Sequence, residues 1–135
     1  MAQIVIPVDI EETIADIYGI HATPKPADLG ASLPYAVVSR TGGGRADLVV
    51  DNHFVDVDVY SDPDDWAGAT AEASRLLALM ADCINKQASN GAVLHAATVE
   101  ALPYNNPDPD HPTLARSTFS MRVTARGAVV EVEDQ

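Results

Sequence analysis

Leu33-Pro-Tyr-Ala-Val-Val-Ser-Arg-Thr-Gly-Gly-Gly44, a short polar bridge, and then His53-Phe-Val-Asp-Val-Asp-Val-Tyr60 form the stretch that decides the fold. Tyr35 to Arg40 has the β-branched centre of a short strand. Gly42, Gly43 and Gly44 can supply the positive φ values that a reversing loop requires, so a hairpin loop is expected from Gly42 to Asp51. From Phe54 to Tyr60 the alternation is strict. Val55, Val57 and Val59 share one face and Asp56, Asp58 and Tyr60 the other, which describes a half-buried strand. Ser61-Asp-Pro-Asp-Asp-Trp66 follows as a helix start, with Asp62 as N-cap, Pro63 at the first helical position and Asp65 near the positive end of the dipole. Ala69, Ala73, Leu76, Leu77, Met80 and Ile84 form the apolar stripe of a long Ala-rich helix that Asn90-Gly91 stops.

Working outward, Ile6, Ile10, Ile14 and Ile17 recur at helical spacing. They predict an N-terminal helix within Ile4 to Tyr18, with Pro7 in its first turn and Gly19 ending it. Thr23 to Ser32, with Pro24 and Pro26, reads as an extended connector. Val93 to Leu102 is a strand. Phe119, Met121, Val123 and Ala125 alternate with Ser120, Arg122, Thr124 and Arg126 in another. Between them, Pro103 to Pro112 holds four prolines, which remove ladder donors and predict a long exposed loop or arm. Ala128 to Val132 adds a short strand, and residues 128–135 make an acidic end. The expected fold is α+β. A mixed, mainly antiparallel sheet packs against the long Ala-rich helix and the N-terminal helix, in a single domain over residues 1–135.

Twenty acidic residues against eight basic ones give a net charge of -12, which opposes binding to phosphate backbones, so sequence-specific recognition of DNA is not expected. Cys83, the one cysteine, cannot form an internal disulfide, which fits a reducing compartment such as the cytoplasm. Neither a signal peptide nor a membrane span is expected. With 47% apolar but only 5% aromatic residues the core is built from Val, Ile, Leu and Ala, and burial in an oligomer would help it.

The acidic cluster Asp51, His53, Asp56, Asp58, Asp62, Asp64 and Asp65 contains metal-ligand types, and Asp56, Asp58 and His53 could serve a metal-dependent nuclease or hydrolase. A solvated strand face and a helix cap explain the same residues better, so no metal, cofactor or catalytic residue is assigned. Gly42-Gly43-Gly44-Arg45 lacks the Gly-Lys-Ser/Thr ending of a phosphate loop. Trp66 reads as an anchor of the helix or a subunit contact. Arg116, Arg122 and Arg126 share the polar face of the late strand, where they could pair with Asp56 and Asp58 within a subunit or across a boundary.

Taken in order, the chain resembles the tail terminator family, the ring-forming minor tail proteins of long-tailed bacteriophages. The features that carry the likeness are the helix from Asp9 to Tyr18, the Leu33 to Gly43 segment, the Val55 to Tyr60 strand with its Ser-Asp cap, the Ala-rich helix, and the strand ending at Arg126. The resemblance implies an α+β subunit in a hexameric ring that caps the tail tube, ends its polymerisation and joins the head connector. It also implies a virion location after assembly in the host cytoplasm, and DNA passing through the lumen without specific binding. Other neck or head–tail connector proteins share the same size and architecture, and a small regulatory or ligand-binding domain of host origin is a third alternative. Such a ring needs two different patches per subunit. Contacts are therefore expected at Arg40, Gly42, Gly43, Gly44, Arg45, Asp56, Asp58, Trp66, Tyr104, Arg116, Arg122 and Arg126.

Overall fold

Strands take up 47% of the described chain and helices 22%, so the expected α+β fold built on a long Ala-rich helix is overturned. The computed structural model describes residues 2–132. Its elements run β1 (Ala2–Ile6), α1 (Ile10–Tyr18), β2 (His21–Ala22), β3 (Tyr35–Arg45), β4 (Val50–Ser61), α2 (Trp66–Ala81), β5 (Leu94–Asn105), β6 (Ala115–Arg126) and β7 (Ala128–Val132). β2 to β6 form one five-stranded sheet in the order β2-β3-β4-β6-β5, antiparallel except for β2 on β3, and β1 and β7 form a separate two-stranded ribbon.

Both helices are shorter than the periodicity suggested. α1 begins only after Asp9, whose carboxylate accepts the Glu12 amide, and Gly19 closes it at φ 66°. Ile4 to Ile6 lie in β1 instead, because Pro7 disfavours helical geometry at the residue before it and cannot donate to the ladder. At α2 the N-cap is Asp65, whose Oδ1 accepts the Gly68 amide at 3.0 Å, while Asp62 to Asp65 close a turn with Asp64 at φ 61°. The helix stops at Ala81, well before Asn90. Asn85 takes a φ of 61°, donates its amide to the Leu94 carbonyl and leads into a return segment bridged at Gln87 and Val93. Ile84, assigned to the buried stripe, is therefore exposed.

One face of the sheet carries the core. Val55, Val57 and Val59 of β4 and Phe119, Met121, Val123 and Ala125 of β6 are buried against Ile10 and Ile14 of α1 and Ala73, Leu76 and Met80 of α2. The alanines let α2 sit close to the strands. On the opposite face a second cluster of Leu29, Tyr35, Val37, Tyr60 and Leu114 is buried near one end of the strands. The remainder of that face, around Phe54, Arg122 and Thr98, is exposed.

Two further expectations need correction. The glycines extend β3 rather than forming a loop: Gly42, Gly43 and Gly44 pair with Phe54, His53 and Asn52, leaving a tip at residues 46–49. The Pro103 to Pro112 segment is not a free arm. β5 continues through Pro103 to Asn105 with register shifts that accommodate the missing donor, and Asp108 is buried. Ala128 to Val132 does form a strand, whereas residues 133–135 of the acidic end lie outside the described residues.

Candidate functional site

β4 and β6 pair along their full length, which places Asp56 opposite Ser120 and Asp58 opposite Thr118. Ser120 Oγ donates to Asp56 Oδ1 at 2.6 Å and Thr118 Oγ1 to Asp58 Oδ1 at 2.7 Å. The expected Asp–Arg ladder is thus largely replaced by hydroxyl contacts, because the arginines fall one pair out of register. Arg116 faces Tyr60, Arg122 faces Phe54 and Arg126 faces Val50. Arg116 reaches Asp58 only at 3.9 Å, and Arg122 lies 4.0 Å from Glu100. His53 points to the core side of β4, the face opposite Asp56 and Asp58, so these three residues do not converge. Among the described residues no group of three His, Cys, Asp or Glu side chains is placed to hold a metal ion.

Arg40, Gly43, Gly44 and Arg45 line a cavity of about 330 Å³ together with Val5, Pro7, Asp51, Asn52 and His53. Arg45 grips Asp51 with two hydrogen bonds, at 2.7 and 3.2 Å, and that grip holds the Asp51 carboxyl below its usual range. Arg40 Nε donates to His53 Nδ1 at 3.2 Å, which leaves the proton on Nε2, an atom buried without a hydrogen-bond partner. Burial, reinforced by the Arg40 charge, lowers the His53 pKa.

The other proposed contact residues are dispersed. Arg126 lines a second cavity of about 390 Å³ between Ile6, Val8, Ala92, Val93 and Ala128. Tyr104 projects from β5 into solvent, and Trp66 is half-buried at the start of α2. Cys83 is buried, which pushes its thiol pKa up.

The densest polar cluster was not anticipated from the sequence. Asp108 Oδ2 accepts hydrogen bonds from Lys25 Nζ at 2.5 Å and Tyr60 Oη at 2.6 Å. His111 Nδ1 is 3.3 Å away and Arg116 Nη1 3.6 Å. Its Oδ1 accepts the Asp110 amide, and Arg116 Nε donates to the Asn106 carbonyl at 2.5 Å. The cluster fastens the 23–32 connector and the 106–114 segment over Tyr60. It is a closed clamp rather than an open site, since every group is spent on another. The only hint of it in the sequence was Tyr60, an aromatic on the otherwise acidic face of β4.

No protein-family model matches this chain, and no curated protein matches it either.

Proposed function

We propose that this chain is a structural subunit of a long-tailed phage virion, a tail terminator that assembles as a ring, caps the tail tube and offers the surface on which the head connector sits. The observation that carries the reading is the ordered pattern of segments. Strand β3 with its glycines, β4, α2, β5 and β6 follow one another in that order along the chain, while the outer sheet face stays uncovered around Phe54, Arg122 and Thr98. The polar groups on this face are tied down by cross-strand hydrogen bonds, which suits a rigid contact surface. With -12 charges per subunit, a ring would surround DNA with an acidic bore that repels it and lets it pass.

The test is reconstitution. The purified chain is added to polymerising tail tube protein, and tube length and tube ends are read by negative-stain microscopy. Tubes of limited length with a ring at one end support the proposal. Tubes that grow as they do without the protein, with no ring on any end, refute it.

A further inference from the structure

β1 and β7 form a two-stranded ribbon that does not join the five-stranded sheet. Ala2, Ile4 and Ile6 pair with Val132, Val130 and Ala128, so one face of the ribbon is wholly apolar, and Ile4, Ile6, Val130 and Val132 are exposed on it. A two-stranded antiparallel ribbon is marginal in water by itself. Its exit from the sheet is fixed: the Gly127 amide donates to the Val49 carbonyl at 2.8 Å, and a Cβ at Gly127 would meet the Ile6 carbonyl oxygen at 2.6 Å.

The edges of the two sheets are treated differently. In the five-stranded sheet, β2 is two residues long, and β5 is broken by three register shifts and carries Pro103, devices that blunt pairing with another strand. The outer edge of β1 is partly occupied, since Arg45 Nη1 donates to the Val5 carbonyl at 3.1 Å. Among the described residues β7 has no such guard. All five of its residues are exposed, it has no proline and no bulge, and Glu131 is its only charge.

We infer that β7 pairs edge to edge with β7 of a second copy of this chain, joining two ribbons into a four-stranded antiparallel sheet in the order β1-β7-β7-β1. A second copy is the occupant that the register favours. Antiparallel self-pairing centred on Val130 sets Val130 against its own equivalent, Ala128 against Val132, and Val129 against Glu131. The apolar faces of both ribbons then become continuous, and the two Glu131 carboxylates never stand directly opposite each other, an arrangement that like charges disfavour. The only charges in the paired strands are the two Glu131 carboxylates, which are of like sign, and each chain carries -12. Added salt therefore screens the repulsion between copies and strengthens the pairing, the reverse of what an interface built on ion pairs would show. This inference stands independently of the tail reading, because it needs only two copies of the chain.

The experiment uses the full chain. Sedimentation of the wild-type protein is expected to show a species at least double the 14.3 kDa of one chain, rising in population with protein concentration and with salt. Under mild oxidation Val130→Cys is expected to give a disulfide-linked dimer in high yield. Val129→Cys and the exposed β5 variant Leu102→Cys are expected to give several-fold less. Amide hydrogen exchange on the wild-type chain guards against misfolded variants: Ala128 to Val132 should be protected at high concentration and exchange quickly on dilution. A single-chain species at every concentration and salt level would overturn the inference. So would equal cross-linking of the three variants, or ribbon exchange that ignores concentration. Because no tail tubes enter this test, its failure is separable from a failure of capping.

Discussion

Tyr60 Oη donates to Asp108 Oδ2 at 2.6 Å across 48 positions of the chain, Lys25 Nζ donates to the same oxygen, and His111 Nδ1 and the Arg116 guanidinium lie 3.3 and 3.6 Å from it. One acid thereby ties two irregular segments to the sheet. Lys25 is partly solvated while Asp108 is buried, so the cluster combines a desolvated acceptor with donors that retain some contact with water.

Asp108→Asn is expected to destabilise the protein by about 2–3 kcal/mol, because it removes charge-assisted hydrogen bonds from three side chains at once. Thermal unfolding by circular dichroism should show a midpoint lower by on the order of 10 °C. An unchanged midpoint would mean that the 106–114 segment is held by its apolar contacts, chiefly Leu114.

The same carboxylate predicts acid sensitivity. Burial alone would raise its pKa, but the hydrogen bonds from Lys25, Tyr60, the Asp110 amide and His111 outweigh burial and hold it well below the usual carboxylate range. The unfolded chain takes up this proton near pH ~3.9 and the folded chain only at lower pH. Its contribution is therefore complete above that value and is lost as pH falls through the folded pKa. Urea unfolding at about pH 6 and about pH 3 should show a larger loss for the wild type than for Asp108→Asn; equal losses would contradict the assignment.

His53 predicts a second pH effect in a different window. Burial, with help from Arg40, places its folded pKa below the ordinary 6.5, so the unfolded chain binds the proton first as pH falls. Stability from this residue is complete above about pH 6.5 and declines as pH falls through the folded pKa. Replacing it by an apolar residue also removes the unpartnered Nε2. His53→Leu should therefore lose less stability than the wild type between about pH 7.5 and 5.5, read from urea midpoints, and parallel losses would refute the prediction.

Gly43 and Gly44 should differ sharply despite their adjacency. Gly43 has a φ of 152° and its Cβ would lie 2.3 Å from the Asn52 carbonyl oxygen, whereas a Cβ at Gly44 meets nothing within 4 Å. Gly43→Ala is expected to cost about 2 kcal/mol or more and Gly44→Ala less than about 1 kcal/mol. Chemical denaturation of the pair measures the contrast, and similar costs would show that the β3–β4 pairing can shift to make room.

Much of the strand framework was legible in the sequence because it is written in local alternation. Val55 to Val59 and Phe119 to Ala125 announce their buried faces by parity alone, and β4 and β6 pair throughout those segments. The helix ends were misread. Periodicity continues through Ile6 and Ile84, but a proline at position 7 and a left-handed Asn85 redirect the backbone at those points. Asp56, Asp58, Arg116, Arg122 and Arg126 share a face, as parity required, yet their partners depended on a register that parity does not specify.

Which residues of β4 and β6 face the core, and the excess of acidic side chains, could be read from the chain alone. Side-chain alternation and charge are local properties of the chain. That Asp56 and Asp58 meet hydroxyls rather than arginines, and that Lys25, Tyr60 and Asp108 converge, came from the folded arrangement. Those outcomes depend on strand order, on a one-pair difference in register, and on how the proline-bearing segments cross the sheet. Each joins residues far apart in the chain, and no short window of sequence encodes the distance between them.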